Sequence, residues 1–114
     1  MWWRREPVPD AQWGRRERHP EFADHCRRLC NRYGVVYEDF DVIRDAIEEN
    51  LEVDPIQGSV PIIEGFPEFR RFVFEEYPPH WDLPPLVVVI EVNAEAREFT
   101  LLEIWSEEEL DEQG

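Results

Sequence analysis

The stretch LVVVIEVNAEAREFTLLEIW, residues 86–105, decides the fold of this chain. Residues 86–92 are apolar except for Glu91, and residues 98–105 form a second apolar-rich run. Close strands joined by the short turn 93–96 have to pair in antiparallel fashion. Because the first strand is apolar on both of its faces, we expect it to be the central strand of a sheet and to be covered on each side.

Two helices are predicted upstream of this hairpin. The first covers residues 20–33 and ends at Gly34, which supplies a left-handed stop, and the second lies within residues 37–55 and ends at Asp54-Pro55. The link between them is about four residues, so an antiparallel αα-hairpin is expected. The apolar stripes are Phe22, Cys26, Leu29, Cys30 and Tyr33 in the first helix, and Phe40, Ile43, Ile47 and Leu51 in the second.

These elements predict an α+β protein: an N-terminal arm or short strand, the αα-hairpin, and then a three-to-four-stranded antiparallel sheet. A length of 114 residues suits one domain. Residues 1–19 are assigned to an irregular arm rich in Arg and Trp, residues 20–109 to the domain and residues 110–114 to an acidic tail. A short edge strand is considered at residues 11–13, and a further strand is predicted at residues 69–75.

Charge is unevenly distributed along the chain. The formal net charge is −15: residues 1–32 hold eight Arg against five acids, whereas residues 33–114 hold four Arg against 22 acids, and there is no lysine. An acidic body repels nucleic acid unless one face is locally basic. Two interpretations remain open, a general one (solubility, base composition, or adaptation to salt or heat) and an acidic face for a basic partner.

Several classes of protein are not expected from the sequence. No run approaches the roughly 18 apolar residues of a membrane span, and no signal-peptide pattern is present, so a cytoplasmic location without membrane contact is predicted. Cys26 and Cys30 lie four apart on one helix and are predicted to be free, buried thiols. A zinc site with His19 and His25 is not expected, since no second Cys/His pair follows. No phosphate loop is present, and neither a cofactor nor a metal is predicted.

Arg70 and Arg71 are the candidate site residues. Neighbouring residues of a strand face opposite sides, so one arginine should point towards the helix layer and the other towards the open side of the sheet. On the open side, the planar guanidinium could hold a phosphate group. The alternative for either side chain is an ion pair with one of the chain's 27 acids.

Four stretches carry a resemblance to a known family: PEFADHCRRLCNRYG, DFDVIRDAIEENLEVDP, GSVPIIEGFPEFRRFVF and LVVVIEVNAEAREFTLLEIW. In order and spacing, residues 20–109 resemble the RelE/ParE toxin superfamily of bacterial toxin–antitoxin systems. The first two stretches look like that family's two helices. The third looks like its linker and first long strand, which commonly carries a basic residue, and the fourth looks like its hairpin.

The resemblance implies a small α+β domain that cleaves messenger RNA on the ribosome or, in another branch, poisons DNA gyrase. Such toxins are silenced by a small antitoxin protein. In the RNA-cleaving members, Arg and Lys on the sheet hold phosphate, which would be the role of Arg70 and Arg71 here. The family's usual arginine and tyrosine positions are matched by Val87 and Ile90, so catalysis is left open.

The expected function is therefore that of a RelE/ParE-fold, toxin-like protein that binds a small antitoxin-like partner. Whether it also cleaves mRNA on the ribosome is left open. Two alternatives stand beside it. One is a non-catalytic acidic interaction protein on the same fold, and the other is a binder that mimics nucleic acid.

Overall fold

The computed structural model describes residues 13–15, 20–75 and 83–113. Of the predicted arm 1–19, only residues 13–15 are described. The strand considered at residues 11–13 therefore lies mostly outside the described residues. The α+β class, with two helices ahead of an antiparallel sheet, is confirmed. In chain order the elements are β1 (Gly14–Arg15), α1 (Pro20–Tyr33), α2 (Phe40–Val53), β2 (Val60–Ile63), β3 (Phe66–Phe74), β4 (Leu86–Asn93), β5 (Glu98–Ser106) and α3 (Glu107–Gln113).

The sheet has the strand order β1-β5-β4-β3-β2, so β4 is central as predicted. Strands β2 to β5 pair antiparallel, and the two-residue β1 pairs parallel with β5. We expected β4 to be covered on both faces, but only one of its faces is fully buried. Its core face buries Leu86, Val88 and Ile90, whereas the opposite face carries the buried Val87 and the half-buried Val89. We call this second side of the sheet the open face.

Helices α1 and α2 lie on the core face because each has a single apolar stripe that must be removed from water. Every predicted stripe residue is buried except Tyr33, which is half-buried. The stripes pack against Phe74 of β3, Ile90 of β4 and Ile104 of β5 in one hydrophobic core. The link between the helices, residues 34–39, is longer than the expected four or so.

Gly34 ends α1 in the left-handed conformation, with a φ of 68°. Beyond it, the Val35 amide donates a hydrogen bond of 3.0 Å to the Cys30 carbonyl, which closes the last turn. Gly34→Ala is expected to lower the free energy of unfolding by about 1 kcal/mol, because an L side chain is strained at this φ even though a Cβ would meet no atom within 4 Å.

Gly58→Ala is the matched control for this substitution. Gly58 does not have a positive φ, and a Cβ there would make an ordinary contact of 3.6 Å with the Phe72 ring. Urea unfolding of both variants measures the difference in stability. Equal losses for the two variants would contradict the role given to Gly34.

Candidate functional site

Arg70 and Arg71 point to opposite sides of the sheet, as their adjacent positions on β3 predict. Arg70 pairs in register with Ile90 of the core face and is buried. Arg71 pairs with Val89 and is exposed on the open face. The two candidate residues are therefore not brought together, and each has to be considered separately.

Arg70 fastens the loop between α2 and β2 to strand β3. Its Nε donates to Ser59 Oγ at 2.7 Å, its Nη1 to the Pro67 carbonyl at 3.1 Å, and its Nη2 to the carbonyls of Ile56 and Ser59 at 3.1 and 3.0 Å. Ser59 Oγ in turn donates to the Pro55 carbonyl. The guanidinium is thus held by the protein itself, by carbonyls and a hydroxyl rather than by acids. Contact with a phosphate would require these bonds to break.

Arg71, in contrast, has no hydrogen-bond or ion-pair partner among the described residues. It borders a concavity of about 630 Å³ on the open face, which we call the Arg71 hollow. The described residues lining it are Gly58, Ser59, Val60, Arg71, Val73, Val87, Glu107, Leu110 and Asp111. In a chain this rich in acids, an exposed arginine that has no partner in the described part of the chain is a candidate for binding a ligand.

The two positions that the resemblance matched to catalytic side chains lie on different faces. Val87 lines the Arg71 hollow together with Arg71, so position 87 faces the same concavity. Ile90 is fully buried in the core between the sheet and the helices. A side chain at position 90 therefore cannot act on the open face without a change of strand register.

Helix α3 forms one wall of the hollow, and its orientation is fixed by a capping box. The Glu109 amide donates to Ser106 Oγ at 3.1 Å, and the Ser106 amide donates to the Glu109 carboxylate at 2.9 Å. This is the reciprocal pattern of a Ser-x-x-Glu sequence at a helix start. We predicted an acidic tail at residues 110–114, whereas residues 110–113 belong to helix α3. The start signal of this helix is readable in SEEE at residues 106–109.

Two arginines of α1 hold α3 from the other side. Arg28 Nε donates to Glu109 at 2.7 Å, and its Nη2 also donates to the Ile104 carbonyl at 2.7 Å, so it joins the helix and strand β5. Burial raises the pKa of Glu109, but the hydrogen bonds from Arg28 and the Ser106 amide outweigh it, and the pKa lies below its ordinary value.

A second contact between the same helices lies at the surface. Arg32 forms a bidentate pair with Glu112, with Nη–Oε distances of 3.1 and 2.6 Å. Hydrogen bonding to Glu112 raises the pKa of Arg32, and the same bond lowers the pKa of Glu112. The Tyr33 hydroxyl donates to Ser106 Oγ at 2.8 Å. Two of the acids of α3, Glu109 and Glu112, thus pair with arginines of α1.

Arg97, another exposed arginine, lies in the β4–β5 turn, away from the hollow. Its guanidinium stacks over the Trp13 ring at 5.1 Å from the centroid. Its carbonyl accepts the Gly14 amide at 2.8 Å. Arg97 therefore supports the packing of β1 and does not join Arg71 in a common basic surface.

The two cysteines are free and buried, as predicted. Cys26 and Cys30 lie in the core, while the half-buried His25 stacks edge-on against Trp105 at 5.2 Å between ring centroids. Among the described residues, no group of three or more His, Cys, Asp or Glu could hold a metal ion. Burial raises the pKa of the Cys30 thiol, and the charge of Arg44 opposes this shift only in part.

The two thiols are accordingly expected to be inert in the folded protein, since the thiolate is the reactive form. With a chromogenic disulfide reagent at neutral pH, we expect slow labelling that follows the rate of unfolding. Labelling in urea should be immediate and should reach both cysteines. Rapid labelling of the folded chain would contradict the buried, unreactive state.

The hollow is equipped for binding more clearly than for acid–base chemistry. Its described lining holds one cation, two carboxylates and an apolar floor, but no His, Tyr, Cys or Lys. The hydroxyl of Ser59 is already bonded to Pro55 and Arg70.

No helix among the described residues is long and apolar enough to cross a membrane. Comparisons with protein-family models, with curated proteins and with solved structures found no match to this chain.

Proposed function

We propose that this chain acts by binding a protein partner, as a toxin-like member of a toxin–antitoxin type system with a RelE/ParE-like arrangement, in the cytoplasm. The observation that carries the proposal is a group of exposed apolar side chains on the β2–β3 hairpin. Its five side chains are between 44% and 52% exposed: Val60, Ile62, Ile63, Phe66 and Val73. Several large apolar side chains exposed on one edge hairpin mark interaction sites, because proteins otherwise keep most such residues inside.

The position of this surface adds to the argument. Strand β2 is an edge strand, and all four of its residues are exposed. Open apolar edges invite pairing with another chain, and Pro61 is the one edge-blunting residue within β2. A partner that covered this edge hairpin would remove the apolar side chains from water.

Ribosome-dependent mRNA cleavage is the second candidate, and it is favoured by one observation. Arg71 is exposed and has no partner among the described residues, as a phosphate-binding arginine would be. Against it stands the net charge of −15, which opposes approach to RNA.

Induced expression in a bacterial host separates the two candidates. If the chain cleaves mRNA, induction should arrest translation and Arg71→Ala should relieve the arrest, whereas Arg97→Ala, the control at a distant arginine, should not. If the chain acts through protein contact alone, cellular mRNA should stay intact after induction, with Arg71 present or replaced by alanine. Unaffected growth at high expression would count against a toxin of either kind.

Partner binding is tested by co-expression with the product of the neighbouring reading frame. A tagged chain should then purify as a stoichiometric complex, and the partner should relieve any growth arrest. A chain that stays monomeric and without a partner in this experiment would contradict the proposal.

A further inference from the structure

The Arg71 hollow has an apolar floor with side chains of opposite charge on its two sides. Its floor is apolar and is made by Val73 of β3 and Val87 of β4, which are register partners on the open face. Arg71 stands on the β3 side of this floor. Glu107 and Asp111 stand on the α3 side, so the charges of opposite sign belong to different elements.

These charges have no partners within the described part of the chain. Glu107 and Asp111 are exposed, and neither their side chains nor that of Arg71 form a hydrogen bond or an ion pair with another described residue. Other carboxylates of α3 behave differently, because Glu109 and Glu112 are bonded to Arg28 and Arg32. The helix therefore directs one set of acids to α1 and leaves the other set facing the hollow.

We propose that the hollow is the docking site for a segment of the protein partner that sets an apolar side chain on Val73 and Val87 and a Lys or Arg against Glu107 and Asp111. Arg71 then binds a carboxylate or carbonyl oxygen of the same segment and fixes its direction. This inference rests on the proposed partner-binding function and specifies where the partner binds and by what chemistry.

The charge of the hollow favours a basic peptide segment over a nucleic acid or a second copy of this chain. The described lining of the hollow carries two carboxylates against one guanidinium, and residues 33–114 carry 22 acids against four arginines. A basic segment is attracted by this field, whereas a nucleic acid is repelled by it. A second copy of the chain would bring another net charge of −15 to the contact. The valine floor requires that the basic segment also be apolar.

A random dodecapeptide library displayed on phage and selected on the full chain supplies the probe. We expect the selected peptides to share an apolar residue close to Lys or Arg. A synthetic peptide of the selected sequence should bind roughly tenfold more weakly to the double variant Glu107→Lys/Asp111→Lys, and Val73→Asp should weaken binding at least as much.

The control for charge is the double variant Glu64→Lys/Glu95→Lys, which changes the formal charge equally at two exposed turn positions outside the hollow. A peptide with its basic residue replaced by Glu should bind the Glu107→Lys/Asp111→Lys chain better than the wild type. This reversal cannot come from loss of folding. Glu107→Gln/Asp111→Asn, a milder pair, should give a smaller loss in the same direction.

Four results would overturn the inference: no selected peptides, peptides without a basic residue, equal weakening by the control pair, or preferential binding of a single-stranded RNA dodecamer. Dimerisation that Val73→Asp abolishes, seen by light scattering, would assign the hollow to a second copy instead. The proposed function fails separately. If the co-expressed partner still binds Val73→Asp but not Phe66→Asp, partner binding stands and the hollow is not its site.

Discussion

Replacing Arg70 with alanine is expected to lower the free energy of unfolding by about 3 kcal/mol. The substitution removes four hydrogen bonds from a buried guanidinium and leaves the carbonyls of Ile56 and Ser59 without their donor. Each bond to a charged group contributes about 1.5–3 kcal/mol, and the contributions are not additive within one network. Urea unfolding followed by tryptophan fluorescence measures the loss.

The adjacent residue is the control. Arg71→Ala removes an exposed side chain that has no described hydrogen-bond or ion-pair partner, so we expect a change within about 0.5 kcal/mol. Arg70→Lys should recover only part of the stability, because an ammonium cannot reproduce the planar fork that spans the loop. Similar losses for Arg70→Ala and Arg71→Ala would contradict the structural role of Arg70. Growth experiments with Arg70→Ala should be read together with its stability for the same reason.

Replacing Glu109 with alanine is expected to cost about 2 kcal/mol. The carboxylate accepts hydrogen bonds from Arg28 and from the Ser106 amide, and Ser106 Oγ accepts the Glu109 amide in return. A lost capping interaction costs about 1 kcal/mol, and a buried charged hydrogen bond costs more. Glu109→Gln should be milder, because an amide oxygen can still accept the Ser106 amide. Thermal unfolding of the two variants and of the wild type tests this order.

Glu112→Gln is the matched control on the same helix. Glu112 pairs with Arg32 at the surface, where water screens the charges, so little change in stability is expected. A loss as large as that of Glu109→Ala would contradict the assignment of the α3 anchor to Glu109.

Stability should depend on pH chiefly through Glu109, and only weakly through the exposed Glu112. The pKa values of Glu109 and Glu112 are lowered in the folded protein from an ordinary value of 4.5. A group whose pKa is lower in the folded state stabilises it above the unfolded-state pKa, and this contribution is lost as the pH falls through the folded-state pKa. We therefore expect a loss of stability below about pH 4.5 that is smaller in Glu109→Gln than in the wild type. Identical pH profiles would contradict the linkage.

Much of the architecture was predictable because it depends on local periodicity. The stripe of α1 and the apolar run of β4 repeat at spacings that neighbouring residues encode, and both were located correctly. The opposite directions of Arg70 and Arg71 also follow from strand geometry alone. The Ser-x-x-Glu capping box that starts at Ser106 is present in the sequence. It was overlooked because its glutamate belongs to a longer run of acids.

By itself, the sequence determined the α+β class, the central strand and the burial of the two thiols, since each depends on residues a few positions apart. Only the tertiary structure decided which arginine is bonded within the protein and which has no partner among residues 13–15, 20–75 and 83–113, because Arg70 meets a loop 11 residues earlier. It also decided where α3 is anchored, because Glu109 meets Arg28 of α1, a residue 81 positions away. Any of the 27 acids could have paired with either arginine on sequence grounds, and only the packing of helix, loop and sheet selects the partners.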